Sequence, residues 1–185
     1  IMNKHIPELS FVDIEKGDSN SINILSDALE DHGFFSITEH GLSNELVDKC
    51  YQLSKQFFNL EYETKNKYSS VGSKGARGYT PKGIETAVGE NVPDQKEFWH
   101  HGPVVDDTFD QKIPKNIIIE EMPEFNKYYD ELYLELHKIG SRVLSVIALS
   151  LEIDKNFFTP WIEKGNSLLR SIHYPPVDSN LNPHR

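Results

Sequence analysis

A mixed α/β domain is what this sequence predicts, on three observations. The first is an apolar stripe from Phe125 through Tyr129, Leu132, Leu136, Ile139 and Val143 to Leu151, spaced by three and four residues. It reads as one helix of roughly 29 residues, about 43 Å long at about 1.5 Å per residue. The second is a set of short apolar or alternating stretches bounded by glycine or proline, each the length of a strand. The third is a glycine-broken stretch, residues 69–92, that supports no period at all.

Taken in chain order, residues 6–14 alternate well enough for a short strand, and Ile22, Leu25, Ala28 and Leu29 then share one helical face that ends at Gly33, a C-terminal cap. Phe34 to Thr38 reads as a buried strand between Gly33 and Gly41. A second helix starts after Ser43, with Leu46, Val47, Cys50, Leu53 and Phe57 on its apolar face, and Glu61 to Tyr68 forms a short, polar third helix. Gly72, Gly75, Gly78, Gly83 and Gly89 make residues 69–92 a long loop, and loops of that length inside a domain are usually functional or disordered. Lys96 to Gly102 is another short strand, Asp106 to Pro114 a polar connector, and the long helix follows Pro123. Leu168 to Tyr174 is a strand that must end at Pro175-Pro176, because proline fixes φ and cannot donate to a ladder. A chain of 185 residues buries one sizeable core, and it reads as a single domain: residues 1–120 with strands, helices and the glycine-rich loop, a spine helix over 121–152, and a closing strand region over 165–185.

Composition narrows the function classes. A net charge of -10 without clustered Lys or Arg argues against nucleic acid and against an anionic membrane surface. No apolar run approaches the roughly 20 residues of a membrane span, and no basic-then-apolar leader stands at the start. Ile1 ahead of Met2 reads as a residue left by expression. The single cysteine, Cys50, excludes an internal disulfide, fits a reducing cytoplasm, and sits on an apolar helix face where it should be buried and inert.

Six motifs in order carry a resemblance. They are Ile6-Pro7 with a following strand to Asp13, Gly33-Phe34-Phe35 with His40-Gly41, Phe57-Phe58 with Leu60 and Lys65, Gly78-Tyr79 in the long loop, Asp94 with Lys96-Glu97, and Leu169-Arg170 with Tyr174-Pro175-Pro176. Together they resemble the isopenicillin N synthase-like family of non-haem iron oxygenases, most of which use 2-oxoglutarate. The resemblance implies a double-stranded β-helix (jelly roll) oxygenase fold, incomplete in this chain, with Leu168–Tyr174 as an early strand of the jelly roll. It implies an oxygenase that uses Fe(II) and 2-oxoglutarate, acting on a small organic substrate. Two positions depart from the family pattern: Ile172 and His173 stand where Asn and Tyr are usual, and that Asn often helps hold the co-substrate. An oxidase of the same fold that takes no 2-oxoglutarate therefore remains an alternative, as does a non-catalytic interaction module if the chain ends at Arg185. Against the module, the strand at 168–174 would be left with an unpaired apolar edge.

The family's iron is held by two His and one carboxylate, written His-x-Asp/Glu plus a distant His, with an Arg-x-Ser for the co-substrate. None of the eight histidines has Asp or Glu two residues later, and none of the four arginines begins Arg-x-Ser. The expectation is that no residue here is a metal ligand or catalytic, that the ligands lie past Arg185, and that this segment alone is inactive. His100 and His101 are adjacent on a strand and so point to opposite faces, which disfavours one shared metal. His40, at a strand-to-helix turn, is expected to bond local backbone. The glycine loop lacks the Gly-Lys-Ser/Thr ending of a nucleotide loop. By family analogy Tyr174 is the cofactor-binding candidate, its hydroxyl reaching a carboxylate; the alternative is an aromatic packed before Pro-Pro. Arg77 and Tyr79 are the substrate-binding candidates at the pocket mouth, where a cation with few neighbours besides Lys74 and Lys82 would clamp a carboxylate; the alternative is a solvated loop. Arg170 is expected in a structural ion pair, and Lys96-Glu97 as an ordinary surface pair.

Overall fold

A computed structural model of the chain describes residues 5–69, 76–85 and 95–176. Gly72, Gly75, Gly89, Lys74, Asp94, His184 and the Ile1-Met2 start lie outside the described residues. The elements run β1 (Glu8–Ser10), α1 (Phe11–Glu15), α2 (Ser19–Asp31), β2 (Ser36–Thr38), α3 (Asn44–Phe58), α4 (Tyr62–Asn66), β3 (Gly78–Thr80), β4 (Glu97–His101), α5 (Pro123–Ser150), α6 (Thr159–Ile162) and β5 (Leu169–His173). They group into two compact units, one of Ile1–Leu46 with Leu134–Gly165, the other of Val47–Tyr133 with Asn166–Arg185, so the division falls within α3 and α5. No helix among the described residues is long and apolar enough to cross a membrane.

In the first unit β1 and β2 pair in parallel, Leu9 opposite Ile37. The alternation of residues 6–14 predicts one strand, but the chain turns helical at Phe11. Ser10 caps α1 by accepting from the Asp13 N–H at 3.2 Å, which satisfies a first-turn donor that a strand would have left to a ladder. Asp18 caps α2 in the same way, at 2.8 Å from the Ser21 N–H, and these bonds hold its carboxyl below the usual range. The helix ends as expected at Gly33, whose φ of 69° suits a residue without Cβ. Leu9, Phe11, Ile14, Leu25 and Val146 form the core of this unit, with Ile37, Ile139 and Val143 against it. Arg142 grips Glu15 through two bonds of 2.8 and 2.6 Å while its guanidinium lies over Phe11. Only Ile37 of β2 turns inward, and Phe34 is 68% exposed, so this strand is shorter and less buried than its apolar run suggests.

The second unit holds an antiparallel sheet in the order β3-β4-β5. One face packs on an aromatic cluster. Phe57 meets Tyr79, Trp99 and Phe125 at ring distances of 5.7, 5.0 and 5.8 Å, and Phe125 stacks on Tyr129 at 4.1 Å. β3 is a strand inside what reads as unbroken loop. Three residues beside a glycine give no period, and pairing with β4, Tyr79 opposite Trp99, makes the strand. Gly78 has φ 74°, and a Cβ there would meet the Tyr68 carbonyl oxygen at 2.5 Å, so the position demands glycine. The long helix is 28 residues, close to the span its period predicts.

Candidate functional site

The pleat of β4 and β5 sorts side chains to two faces. Glu97, Trp99 and His101 of β4, with Ser171 and His173 of β5, face the aromatic cluster. Phe98, His100, Arg170 and Ile172 face the other way with Thr80, and Tyr174 follows in the same alternation.

On the inner face Glu97 is the hub, 1% exposed. Its Oε2 accepts from Lys65 Nζ at 2.8 Å and from Tyr79 OH at 2.5 Å, and its Oε1 lies 2.8 Å from His173 Nδ1. Burial alone would raise its carboxyl pKa, but the bonds from Lys65, Tyr79 and His173 outweigh it and hold the group below the usual range. Burial pushes the Tyr79 hydroxyl strongly upward, so it stays a proton donor to Glu97. The expected Lys96–Glu97 surface pair is corrected: Glu97 is interior and pairs with Lys65, which the sheet and α4 bring together, while Lys96 lies 3.3 Å from Glu85. The His173 ring stacks on Phe58 at 5.3 Å, which fixes the end of β5 just before Tyr174. Two residues before His173, Ser171 Oγ lies 2.6 Å from Tyr129 OH, itself 2.5 Å from Ser54 Oγ.

Arg77 is not a solvated loop residue. It is 1% exposed, donates from Nη1 to the Ala76 carbonyl at 2.7 Å and from Nη2 to Asn166 Oδ1 at 2.6 Å, and its Nε has no partner among the described residues. Its guanidinium lies so close over Gly102 that a Cβ there would collide with Cζ. Gly102 is in turn tied down by Asn116, which accepts from its N–H at 2.7 Å and donates to its carbonyl at 3.0 Å. The same Asn116 reaches His101 Nε2 at 3.1 Å, and Asp130 of α5 lies 2.7 Å from that nitrogen. Tyr79 is likewise buried, its hydroxyl spent on Glu97. Both residues expected at a pocket mouth thus sit inside this unit: Tyr79 lies on β3 opposite Trp99, and Arg77 directly precedes that strand.

Tyr174 is 65% exposed, with Ile172 beside it on the same face. Arg170 donates from Nε to His100 Nε2 at 2.5 Å, lies 4.4 Å from the Phe98 ring centre, and stands 3.8 Å from Glu85 Oε1. Its ion pair is therefore long and secondary to a histidine and a ring that periodicity cannot pair with it. His100 and His101 turn to opposite faces with different partners, and His40 Nδ1 accepts from the Leu42 N–H at 3.1 Å, as expected of a turn histidine. Cys50 is buried, and burial lifts its thiol to about 11, which makes it inert. Among the described residues, no three or more His, Cys, Asp or Glu side chains group so as to hold a metal ion. Among the described residues the donors present do not fit iron.

Residues 6–121 match the family described as non-haem dioxygenase in morphine synthesis N-terminal. A 2-oxoglutarate-Fe(II) type oxidoreductase of Aspergillus fumigatus is 29% identical over 154 residues, which are 78% of this chain and 46% of that protein. Gibberellin 20 oxidase 2 of Arabidopsis thaliana is 25% identical over 183 residues, 94% of this chain and 47% of that protein. Among solved structures, a Caulobacter crescentus protein described as of the 2OG-Fe(II) oxygenase family aligns with TM-score 0.83 and 36% identity, covering 95% of this chain and 58% of that one. A full-length Neurospora crassa protein solved in complex with alpha-KG shares the fold at TM-score 0.78 and 22% identity, covering 97% of this chain and 58% of that one. The chain belongs to the N-terminal part of the isopenicillin N synthase-like, iron- and 2-oxoglutarate-dependent oxygenases. It spans about half the length of the curated relatives it matches.

Proposed function

We propose that this chain is the N-terminal part of an iron(II)- and 2-oxoglutarate-dependent oxygenase of a small organic molecule, working in a reducing cytoplasm. The match of residues 6–121 to the dioxygenase family carries this reading. When bound, iron and 2-oxoglutarate supply the oxidising power for attack on a substrate C–H bond. The residues of this chain build one wall of the pocket. Tyr174 offers its exposed hydroxyl to a co-substrate carboxylate, and Ile172 sets an apolar surface beside it. Lys65, Tyr79 and His173 hold β5 in place through Glu97, which keeps Tyr174 aimed away from the aromatic cluster. Arg77 and Tyr79 serve the substrate by shaping that wall from beneath, since the two terminal amino groups of Arg77 and the Tyr79 hydroxyl bond within the unit. The spine helix over 121–152 and the strand region over 165–185 act with residues 1–120 as one functional domain.

The test is succinate formation from 2-oxoglutarate by the protein carrying its jelly-roll half, with iron and oxygen supplied. Turnover is expected, and Tyr174→Phe should raise the half-saturating 2-oxoglutarate concentration about 10-fold, the loss of one hydrogen bond to a charged group. Iron-dependent oxygen uptake without succinate would instead favour a 2-oxoglutarate-independent oxidase, a second reading that Ile172 at the usual Asn position supports.

A further inference from the structure

We propose that Arg77 is a positioning residue of this wall: bonded to Asn166, it fixes where the chain enters β5, and through β5 it sets the placement of the Tyr174 hydroxyl. This inference rests on the oxygenase reading above.

A buried guanidinium gives up its hydration, so its place in the interior needs a reason. Its two terminal amino groups donate to neutral acceptors, the Ala76 carbonyl at 2.7 Å and Asn166 Oδ1 at 2.6 Å. Ala76 is its chain neighbour, so the bond to Asn166, 89 residues away, is the one that joins distant segments. The seat of the group is narrow as well. It fills the space that a Cβ would take at Gly102, and Asn116 holds the Gly102 backbone in place from both its N–H and its carbonyl. A planar, rigid fork wedged in this way presents its outer N–H in one direction, toward Asn166.

Asn166 stands just ahead of β5, which begins at Leu169. The Tyr133 hydroxyl hydrogen-bonds the side chain of the next residue, Ser167. Tyr129, about one turn earlier on α5, lies 2.6 Å from Ser171 Oγ, and His173 lies 2.8 Å from Glu97. The segment is thus tethered along its whole length, by Arg77 at Asn166, Tyr133 at Ser167, Tyr129 at Ser171 and Glu97 at His173. Successive strand residues face opposite ways, so a slip of one residue would break these bonds and carry Tyr174 off its face. Arg77 makes the tether nearest the entry to the strand, and a charged donor makes the stronger bond.

The experiment uses the complete protein, jelly-roll half included, and reads succinate formation against 2-oxoglutarate concentration with iron and oxygen supplied. Asn166→Leu removes the acceptor at an exposed position, and Arg77→Lys keeps the charge but loses the fork. Each is expected to raise the half-saturating concentration about 10-fold, as much as Tyr174→Phe does, and by more than it lowers turnover at saturation. Asn166→Asp, which returns an acceptor to Arg77, should recover most of the loss. Adding Tyr174→Phe to either variant should cost less than about 2-fold more, because a hydroxyl already removed cannot be misplaced. A role confined to the fold would lower the melting temperature and leave the half-saturating concentration where it was, and that result overturns the proposal. Effects that multiply fully in the double variants overturn it too, since Arg77 would then act other than through Tyr174. If Arg77→Lys does not fold, Asn166→Leu decides. Absence of succinate formation by the wild type overturns the oxygenase reading. A Tyr174→Phe effect with none from Arg77→Lys or Asn166→Leu overturns this inference alone.

Discussion

A carboxylate as deeply buried as Glu97 persists because Lys65, Tyr79 and His173 all reach it. Removing its charge leaves the Lys65 ammonium, 9% exposed at its side chain, without its counter-ion. Glu97→Gln is expected to destabilise the fold by about 3–5 kcal/mol, read from urea unfolding at neutral pH. The pH dependence has a definite sign. The folded carboxyl sits below its ordinary value of 4.5, so its contribution is complete above that value and is lost as pH falls through the lower folded value. Wild-type stability should drop over that acid range, and Glu97→Gln should flatten the drop. The glutamate is legible in the sequence as one of a Lys-Glu pair. Its true partner, 32 residues away, is not, because charge pairing across elements leaves no trace in local spacing.

At the scale of the element, those with a sustained period are the most directly legible. α2, α3 and α5 repeat an apolar face over several turns, and the bounds of β4 and β5 agree with the sequence reading to about a residue. The short elements have other causes. α1 owes its start to the Ser10 cap, β3 to its pairing with β4, and α6 to no pattern the apolar residues show. Gly102 illustrates how one element constrains another. The Arg77 guanidinium brought in beside β3 occupies the space a side chain would need at the end of β4. Gly102→Ala should cost about 1–3 kcal/mol through overpacking, measured by thermal or urea unfolding, and Arg77→Ala in the same chain should recover part of it by vacating the space. If the double variant is no more stable than the sum of the single changes predicts, the contact is not the cause.

For the whole molecule, six short motifs in order identify the family, while composition and periodicity alone stop at a mixed α/β domain. The family model and the solved relatives agree with that identification. Because no histidine of residues 1–185 is followed two residues later by Asp or Glu, as the family's iron site requires, this segment by itself is expected to form no succinate from 2-oxoglutarate above a no-protein control. Iron-dependent turnover by this chain alone would show a metal site of a kind the family does not use.

The family, the spine helix, the strand that ends at Pro175-Pro176 and the inert setting of Cys50 all follow from the sequence, since each is written in contiguous residues or in a period of two or 3.6. Only the folded arrangement settles that Arg77 and Tyr79 lie inward, that Glu97 gathers three donors, and that Arg170 leans on His100 and Phe98. Those outcomes depend on which strands pair and in what register, and a shift of one residue would send every one of these side chains to the opposite face.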